Sequence, residues 1–277
     1  MALDLINILT GFVVSGLLAY FIEGREVLTL GGLVASIFLG TTVYGLGGPQ
    51  WLGILLAFFI SSSALTSIFS KEKEKVNREQ FEKGGTRDMW QVIANGGLSS
   101  LLVAAYFLSP QPVYFIAFIG VLASVNADTW ATEIGILSKS QPLLLTTFKP
   151  VEKGRSGGVT VVGTAASFFG ALFLACCAVA LTWYFQPSML ASIGPWKILT
   201  ATVLGGFFGA LFDSFLGATI QAQNFCPNCR KLTEQRTHHC GTKTWHKMGI
   251  EAVDNDIVNL FSSLFGGFAA AVIFILL

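Results

Sequence analysis

Three acidic side chains lie inside segments of the sequence that are otherwise apolar. Asp128 and Glu133 fall in one such segment, and Asp213 falls in another. Because a charge near the centre of a bilayer costs about 2.5–3.5 kcal/mol on insertion scales, an acid there needs a functional reason or a neutralising partner. The three acids are therefore candidates for a catalytic or metal-binding site. The alternative is that Asp128 pairs with a nearby lysine or arginine.

Other oxygen donors lie at similar depths in the apolar segments. Asn126 and Glu133 share one helical face with Thr129, and Asn95 lies near the start of an earlier segment. Hard cations prefer carboxylate and amide oxygens, and Mg²⁺ is typically bound by one or two carboxylates together with substrate phosphates. The predicted magnesium ligands are Asp128, Glu133, Asp213, Asp254, Asp256 and Asn259, with Asn95 and Asn126 assisting. Alternatively, Asp254 and Asp256 are helix caps.

Two glycine-rich loops have the composition of phosphate-binding loops. They read KGGTRD over 83–88 and KGRSGG over 153–158, and each leads into an apolar segment. Glycines free backbone N–H groups, a helix N-terminus attracts anions, and basic side chains add charge-assisted hydrogen bonds. The predicted phosphate-binding residues are Lys83, Arg87, Lys149, Lys153, Arg155, Ser156, Gly157 and Gly158. A flexible basic loop that touches anionic lipid remains the alternative.

A third group of residues has the spacing of a zinc site. Cys226 and Cys229 form a CxxC pair, and the run His238-His239-Cys240 follows. Four thiolate or imidazole ligands at such spacings are typical of structural zinc. We predict Cys226, Cys229, Cys240 and one histidine as the ligands, with His239 as the preferred histidine. A redox CxxC pair and unligated thiols are the alternatives, whereas Cys176 and Cys177 are expected to be packing residues.

The segments that carry these residues are predicted to be membrane-spanning helices. The 277 residues are 53% hydrophobic and 12% charged, whereas soluble domains carry about 25% charged residues. A helix needs about 20 apolar residues to cross the hydrocarbon core. Seven or eight such segments are present, at about 5–22, 28–46, 51–69, 91–108, 113–137, 158–185, 197–221 and 256–277. The expected fold is therefore an all-α polytopic helix bundle that forms one domain over 1–277. The first segment is expected to be retained, since no signal-peptide pattern precedes or follows it.

Basic residues predict the orientation of this bundle. Of 17 lysines and arginines, all but Lys197 fall in the loops 23–27, 70–90, 138–157 and 222–255, which lie on one side if there are eight spans. The positive-inside rule predicts that these loops are cytoplasmic and that both termini are on the opposite side. The candidate site is then cytoplasmic too.

Small residues are frequent in the two segments that end near 185 and 221. Gly163, Gly170, Gly205 and Gly209 are examples. Two interpretations are open: close packing between helices, or a gap wide enough for a lipid tail.

Several common nucleotide and lipid motifs are missing. The sequence has no Walker A motif, no protein-kinase motif set and no double-aspartate signature of lipid phosphatidyltransferases. A soluble-type nucleotide-binding fold is therefore not expected.

The combination of motifs resembles one integral-membrane family. The segments are RDMWQVIANGG (87–97), NADTWATEIG (126–135), KGRSGGVT (153–160), FDSFLGATIQ (212–221), CPNC with HHCG, and DNDIVN (254–259). They resemble the family of transmembrane protein 19 and the phytyl-phosphate kinases of the vitamin E pathway, first labelled a domain of unknown function.

That resemblance implies an enzyme. It implies phosphoryl transfer from a nucleoside triphosphate, with CTP expected, to an isoprenyl monophosphate such as phytyl or geranylgeranyl phosphate. Asp128, Glu133 and Asp213 would then act with Lys149 and Arg155 in catalysis. The expected partners are this lipid, the nucleotide and the membrane, with no nucleic acid. An ion-coupled transporter and a prenyl alcohol kinase are the alternatives.

Overall fold

A computed structural model describes residues 4–22, 27–70, 76, 79–81 and 85–277. The elements formed by this part of the chain are α1 (Leu5–Ile22), α2 (Leu30–Gly47), α3 (Pro49–Ile68), α4 (Met89–Leu108), α5 (Pro112–Gly135), β1 (Leu143–Leu144), β2 (Gly158–Val159), α6 (Val161–Phe185), α7 (Pro187–Ile193), α8 (Pro195–Thr219), β3 (Gln223–Cys226), β4 (Lys231–Thr233), β5 (Trp245–Met248) and α9 (Asn255–Leu276).

Eight of the helices in the described residues are long and apolar enough to cross a membrane. They are α1 to α6, α8 and α9, and each coincides with a predicted span to within a few residues. The all-α polytopic fold predicted from the sequence is confirmed. The short helix α7 was not predicted, since seven residues are too few to leave a periodic pattern.

The helices begin in two different ways, according to which end of the bundle they start from. At one end, α2, α4, α6 and α9 begin with polar side chains that cap backbone N–H groups. Asp88, for example, forms a capping box with Gln91. At the opposite end, α3, α5, α7 and α8 begin with proline and have no side-chain cap. Polar capping side chains are therefore concentrated at the end of the bundle where α2, α4, α6 and α9 begin, which we call the capped end.

Helix α5 is the centre of the bundle and packs against α3, α4, α6, α8 and α9. Its run from Phe115 to Ala127 is buried throughout. At its apolar end, Trp51 of α3 lies against the rings of Phe115 and Phe118. Towards the other end, the amide of Asn126 accepts hydrogen bonds from Ser61 and Ser62 of α3 and donates to the carbonyl oxygen of Gly170. The helix that carries Asp128 is therefore firmly fixed.

The glycine-rich faces are positions of close helix packing. A methyl group built at Gly205 would lie 2.6 Å from Cβ of Ala270, and one at Gly206 would lie 2.7 Å from Cβ of Ala123. At Gly170 the neighbour is the ring of Trp130, at 3.0 Å. Neighbouring helices fill the space, as in other small-residue interfaces. Of the two interpretations, close packing is therefore confirmed, and these glycines leave no gap for a lipid tail.

Two small sheets lie at the capped end of the bundle. Strands β1 and β2 form an antiparallel pair, and β3 is the central strand of a second sheet with the order β4-β3-β5. We call the segment 223–248 the β-ribbon. It follows α8 directly and reaches back over the ends of the helices, so it brings loop residues to the same place as the buried acids.

Candidate active site

A cavity of about 500 Å³ opens at the capped end of the bundle. Its wall is formed by the ends of α3, α5 and α8, the starts of α4, α6 and α9, the loop 153–160, and the β-ribbon. Polar residues from distant parts of the chain meet there. The predicted site residues that line it are Arg87, Asp128, Glu133, Lys153, Arg155, Ser156, Gly157, Gly158, Asp213, Asp254, Asp256 and Asn259.

Asp128 and Asp213 face each other across the cavity floor, one on α5 and one on α8. The two carboxylates are close enough to interact electrostatically. Asp213 is only 9% exposed, and its Oδ2 accepts a hydrogen bond of 2.8 Å from the hydroxyl of Ser262 on α9. Adjacent buried carboxylates repel each other unless a proton or a cation lies between them. The floor of the cavity is therefore suited to a cation.

Glu133 lies one to two turns beyond Asp128 on the same helix and is 5% exposed. Its Oε1 accepts a hydrogen bond of 2.8 Å from Thr66, which is the last polar residue of α3 inside the bundle. This contact joins the ends of α3 and α5 and fixes the direction of the carboxylate. A buried acid held in this way is preorganised for a cationic partner.

Arg87 is such a partner. Its Nη1 donates a 3.1 Å hydrogen bond to Ser63, and its guanidinium lies 5.5 Å from the ring centre of Phe59. Its backbone pairs with the residues before α2, because its carbonyl oxygen accepts from Thr29 N–H. Burial lowers the pKa of Arg87, and the negative charge of Glu133 acts in the opposite direction. The guanidinium therefore remains a fixed positive charge in the cavity wall.

The loop 153–158 forms another part of the cavity wall. Gly154 and Gly157 have φ angles of 80° and 76°, which strongly favour glycine. A side chain at Gly157 would also collide with the backbone of Ala218 on α8. Lys153 donates to backbone carbonyl oxygens just beyond α5. The guanidinium of Arg155 donates to Met248 Sδ, at 3.5 Å, and its Nε has no hydrogen-bond partner in the described residues. Arg155 is thus the residue of this loop that is best placed to bind an anion.

The start of α9 supplies the remaining acids. Asp254 is exposed and caps the helix, since its Oδ1 accepts 3.0 Å from Ile257 N–H. Asp256 and Asn259 are half-buried and also line the cavity. Capping explains Asp254 by itself, so Asp256 and Asn259 are the better candidates for metal ligands on this helix.

Three predicted site residues in the described part of the chain do not line the cavity. Lys149 is exposed on the loop after β1 and does not line it. Asn126 is fully buried, and its amide is used in packing α3 and α6 against α5. Asn95 lines a separate groove. Lys83 lies outside the described residues.

The cavity also contains residues that the sequence did not single out. Glu234 of the β-ribbon accepts hydrogen bonds from Ser156, at 2.7 Å, and from Gln221, at 2.8 Å. Arg236 and His246 line the same wall. Their spacing in the sequence carries no motif, because they are brought to the cavity by the pairing of β3 with β4 and β5.

The cysteine cluster forms, but with a different histidine. The ligand atoms of Cys226, Cys229, His238 and Cys240 all lie within 4.8 Å of one another. His239 is exposed and its N–H donates to Gln235, so the prediction of His239 is wrong. The two imidazole rings lie side by side, with their centroids 4.1 Å apart, but only His238 is buried and has a ring nitrogen against a cysteine sulfur.

A narrow apolar groove of about 90 Å³ lies between α1, α2, α3 and α4. Apolar side chains, among them six leucines and two phenylalanines, form most of its wall. At one end it is lined by Arg87 and Gln91, and these two residues also line the polar cavity. We call it the α1–α4 groove. Its polar end and the cavity therefore share a boundary.

A family model described as integral membrane protein DUF92 matches residues 13–267. The chain belongs to this family. The result confirms the resemblance that the combined motifs indicated.

The chain is similar to proteins of a plant and of an archaeon. The chain is 34% identical to Protein PGR of Arabidopsis thaliana over 94% of its own length and 93% of that protein. It is 30% identical to an uncharacterized membrane protein of Methanocaldococcus jannaschii, over 81% and 87% respectively. It is 24% identical to Protein VTE6, chloroplastic, of Arabidopsis thaliana, over 91% of its own length and 68% of that protein. No solved structure matches the chain.

Proposed function

We propose that this member of the DUF92 family transfers a phosphoryl group from a nucleoside triphosphate, with CTP expected, to an isoprenyl monophosphate. The observation that carries the proposal is that one cavity combines buried carboxylates, fixed arginines and a glycine-rich loop, and adjoins an apolar groove. Such a site fits a molecule with a phosphate head and a hydrocarbon tail. The resemblance of the motifs to phytyl-phosphate kinases supports the same reaction.

The donor set of the cavity fits magnesium. Asp128, Asp213, Asp256 and Asn259 supply carboxylate and amide oxygens, and they come from three helices that pack together. These are ligands that Mg²⁺ prefers, and the soft sulfur ligands of the chain lie elsewhere. Bound Mg²⁺ would neutralise charge on the transferred phosphate. Glu133 is held by Thr66 and faces Arg87, so we assign it to positioning that arginine.

The protein needs to supply little besides position and charge for this reaction. An oxygen of the acceptor monophosphate forms a bond to the γ-phosphorus, while the bond from that phosphorus to the β–γ bridging oxygen breaks. The products are the isoprenyl diphosphate and the nucleoside diphosphate. Because the acceptor is already an anion, no strong general base is required. Arg87 and Arg155, which both line the cavity, would bind the phosphates.

We assign the isoprenoid tail to the α1–α4 groove. The glycine-rich helices are closely packed and leave it no room. The groove, in contrast, is lined by apolar side chains, and Arg87 lies at the boundary between groove and cavity. A lipid with its tail in the groove would therefore present its phosphate to Arg87, at the edge of the cavity.

Filling this groove is expected to change the preferred length of the tail. Leu56→Trp places an indole into the groove from α3. We expect KM for geranylgeranyl phosphate to rise about tenfold or more, which corresponds to a loss of ~1.4 kcal/mol of binding free energy. The effect on geranyl phosphate, which has a shorter tail, should be smaller. Ile60→Trp is the matched control, because Ile60 lies one turn on and is 60% exposed on the lipid side. Equal KM changes in both variants, or an unchanged preference in Leu56→Trp, would contradict this assignment.

The position of the acids favours an enzyme over a transporter. A transporter site is expected near the middle of the membrane, with access from both sides. Here Asp128, Glu133 and Asp213 lie where α5 and α8 end, beside the basic loops. We infer from the positive-inside rule that this end faces the cytoplasm, where nucleotides are available.

A turnover assay tests the proposed reaction directly. Purified protein in detergent is incubated with Mg²⁺, CTP and geranylgeranyl or phytyl monophosphate, and the diphosphate is measured by mass spectrometry. We expect product that disappears when EDTA is added. The free alcohol is assayed in parallel, and product from the alcohol alone would assign an alcohol kinase instead. No product with any of four nucleotides and several chain lengths would overturn the kinase proposal.

A further inference from the structure

We propose that Cys226, Cys229, His238 and Cys240 form a structural zinc site that holds the β-ribbon in the wall of the cavity. Sulfur atoms bound to one tetrahedral zinc, at about 2.3 Å each, lie ~3.8 Å apart. The Sγ atoms of Cys226 and Cys240 are 3.7 Å apart. Nδ1 of His238 lies 3.3 Å from Cys240 Sγ. The four side chains thus already converge on one point.

The backbone around the cluster has the form of two tight turns. Cys229 N–H points to Cys226 Sγ, at 3.5 Å, and Arg230 N–H donates to the carbonyl oxygen of Cys226. Arg230 has a φ of 55°, which is uncommon for a residue other than glycine. In the second turn, Gly241 has a φ of 80° and its N–H donates to the carbonyl oxygen of His238. Both turns aim their sulfur ligands at the same point.

Burial supports a ligand role for the inward-facing residues. Cys226 is fully buried, and His238 is 1% exposed although its ring is polar. Its Nδ1, which lies 3.3 Å from Cys240 Sγ, is the nitrogen that faces the cysteine cluster. A buried imidazole is costly unless its nitrogens are used. Three sulfurs and one imidazole favour zinc over magnesium, which prefers oxygen.

Zinc would stabilise the β-ribbon, because the ribbon has little apolar core of its own. All four residues of β5 are exposed, and Phe225 packs on Trp245 with 5.4 Å between the ring centroids. Small sheets of this kind are commonly stabilised by a metal. Yet the ribbon carries Glu234, which accepts from Ser156, and Met248, which contacts Arg155. Zinc would therefore fix the position of the phosphate-binding loop from a distance.

Metal analysis of the full-length protein tests this site without relying on catalysis. We expect about one zinc per chain after purification, measured by inductively coupled plasma mass spectrometry. Cys240→Ser and His238→Ala are expected to lose it. His239→Ala and Cys177→Ser are the matched controls and should keep it. Wild-type protein with no zinc, with iron in its place, or with zinc retained in both ligand variants would overturn the proposal.

The wild-type protein provides a second test in case the ligand variants do not fold. Thiol modification with a mercurial should release the zinc, which a colorimetric chelator detects. The zinc-free protein should then be cut faster by trypsin at Arg236 and Lys243, with no change at Lys197 at the far end. Zinc that is released without faster cleavage would overturn the role in holding the ribbon. This test is independent of the proposed kinase reaction.

Discussion

Asp213→Asn is expected to lower turnover by about 10³-fold or more while the helix bundle stays folded. Asparagine has nearly the same shape, and its amide oxygen can still accept the hydrogen bond from Ser262. What it loses is the negative charge that faces Asp128 across the cavity floor. Turnover is measured with CTP and the isoprenyl monophosphate, and folding is followed by thermal unfolding in detergent.

Asp128→Asn should give the same loss, because the two carboxylates act on one cation. Removing one of two neighbouring like charges is expected to maintain or raise the unfolding temperature. Asp4→Asn at the opposite end of the bundle is the control, and it should leave turnover unchanged. Normal activity in both cavity variants would contradict the assignment of these acids to the active site.

Arg87→Gln is expected to lower kcat/KM by about 10²-fold. Glutamine cannot reproduce the charge or the forked donors that a phosphate would meet at the mouth of the α1–α4 groove. The same change also leaves Glu133 without its cationic neighbour, so a loss of stability is expected as well. Steady-state kinetics and thermal unfolding of the same samples measure the two effects separately.

The double variant Arg87→Gln, Glu133→Gln separates binding from stability. If Arg87 binds phosphate, the double variant regains thermal stability but stays poorly active. If Arg87 only neutralises Glu133, the double variant regains both. The second result would show that Arg87 does not bind phosphate. The assignment of the lipid tail to the α1–α4 groove, which depends on Arg87 at its end, would then lose its main support.

The spans could be predicted from the sequence because hydrocarbon thickness fixes the length of an apolar helix. The sequence also identified the acids that share the cavity. Asp128 and Asp213 are costly inside apolar segments, and that cost is visible without a structure. The glycines of the loop 153–158 were informative for a similar reason, since positive φ angles at Gly154 and Gly157 leave few alternatives to glycine.

Other residues depend on the tertiary structure and could not be found in this way. His238 and His239 are adjacent and chemically identical, so only the direction of the turn decides which one faces the cysteines. Asn126 has the composition of a ligand, but its amide is used between helices. Glu234 is exposed to the cavity only because β3 pairs with β4, and no local pattern indicates it.

At the end of the bundle where the helices begin with proline, the connections are short, and this affects how the protein enters the membrane. Gly48 alone separates α2 from α3, and three residues separate α4 from α5. Such connections make each pair a tight hairpin, which can insert as one unit. The described connections of that end contain no lysine or arginine, and Lys197 lies in the first turn of α8. Insertion of the hairpins therefore requires very few charged groups to lose their hydration. The positive-inside rule predicts that the basic end stays in the cytoplasm, and the loops that line the cavity would then not be translocated.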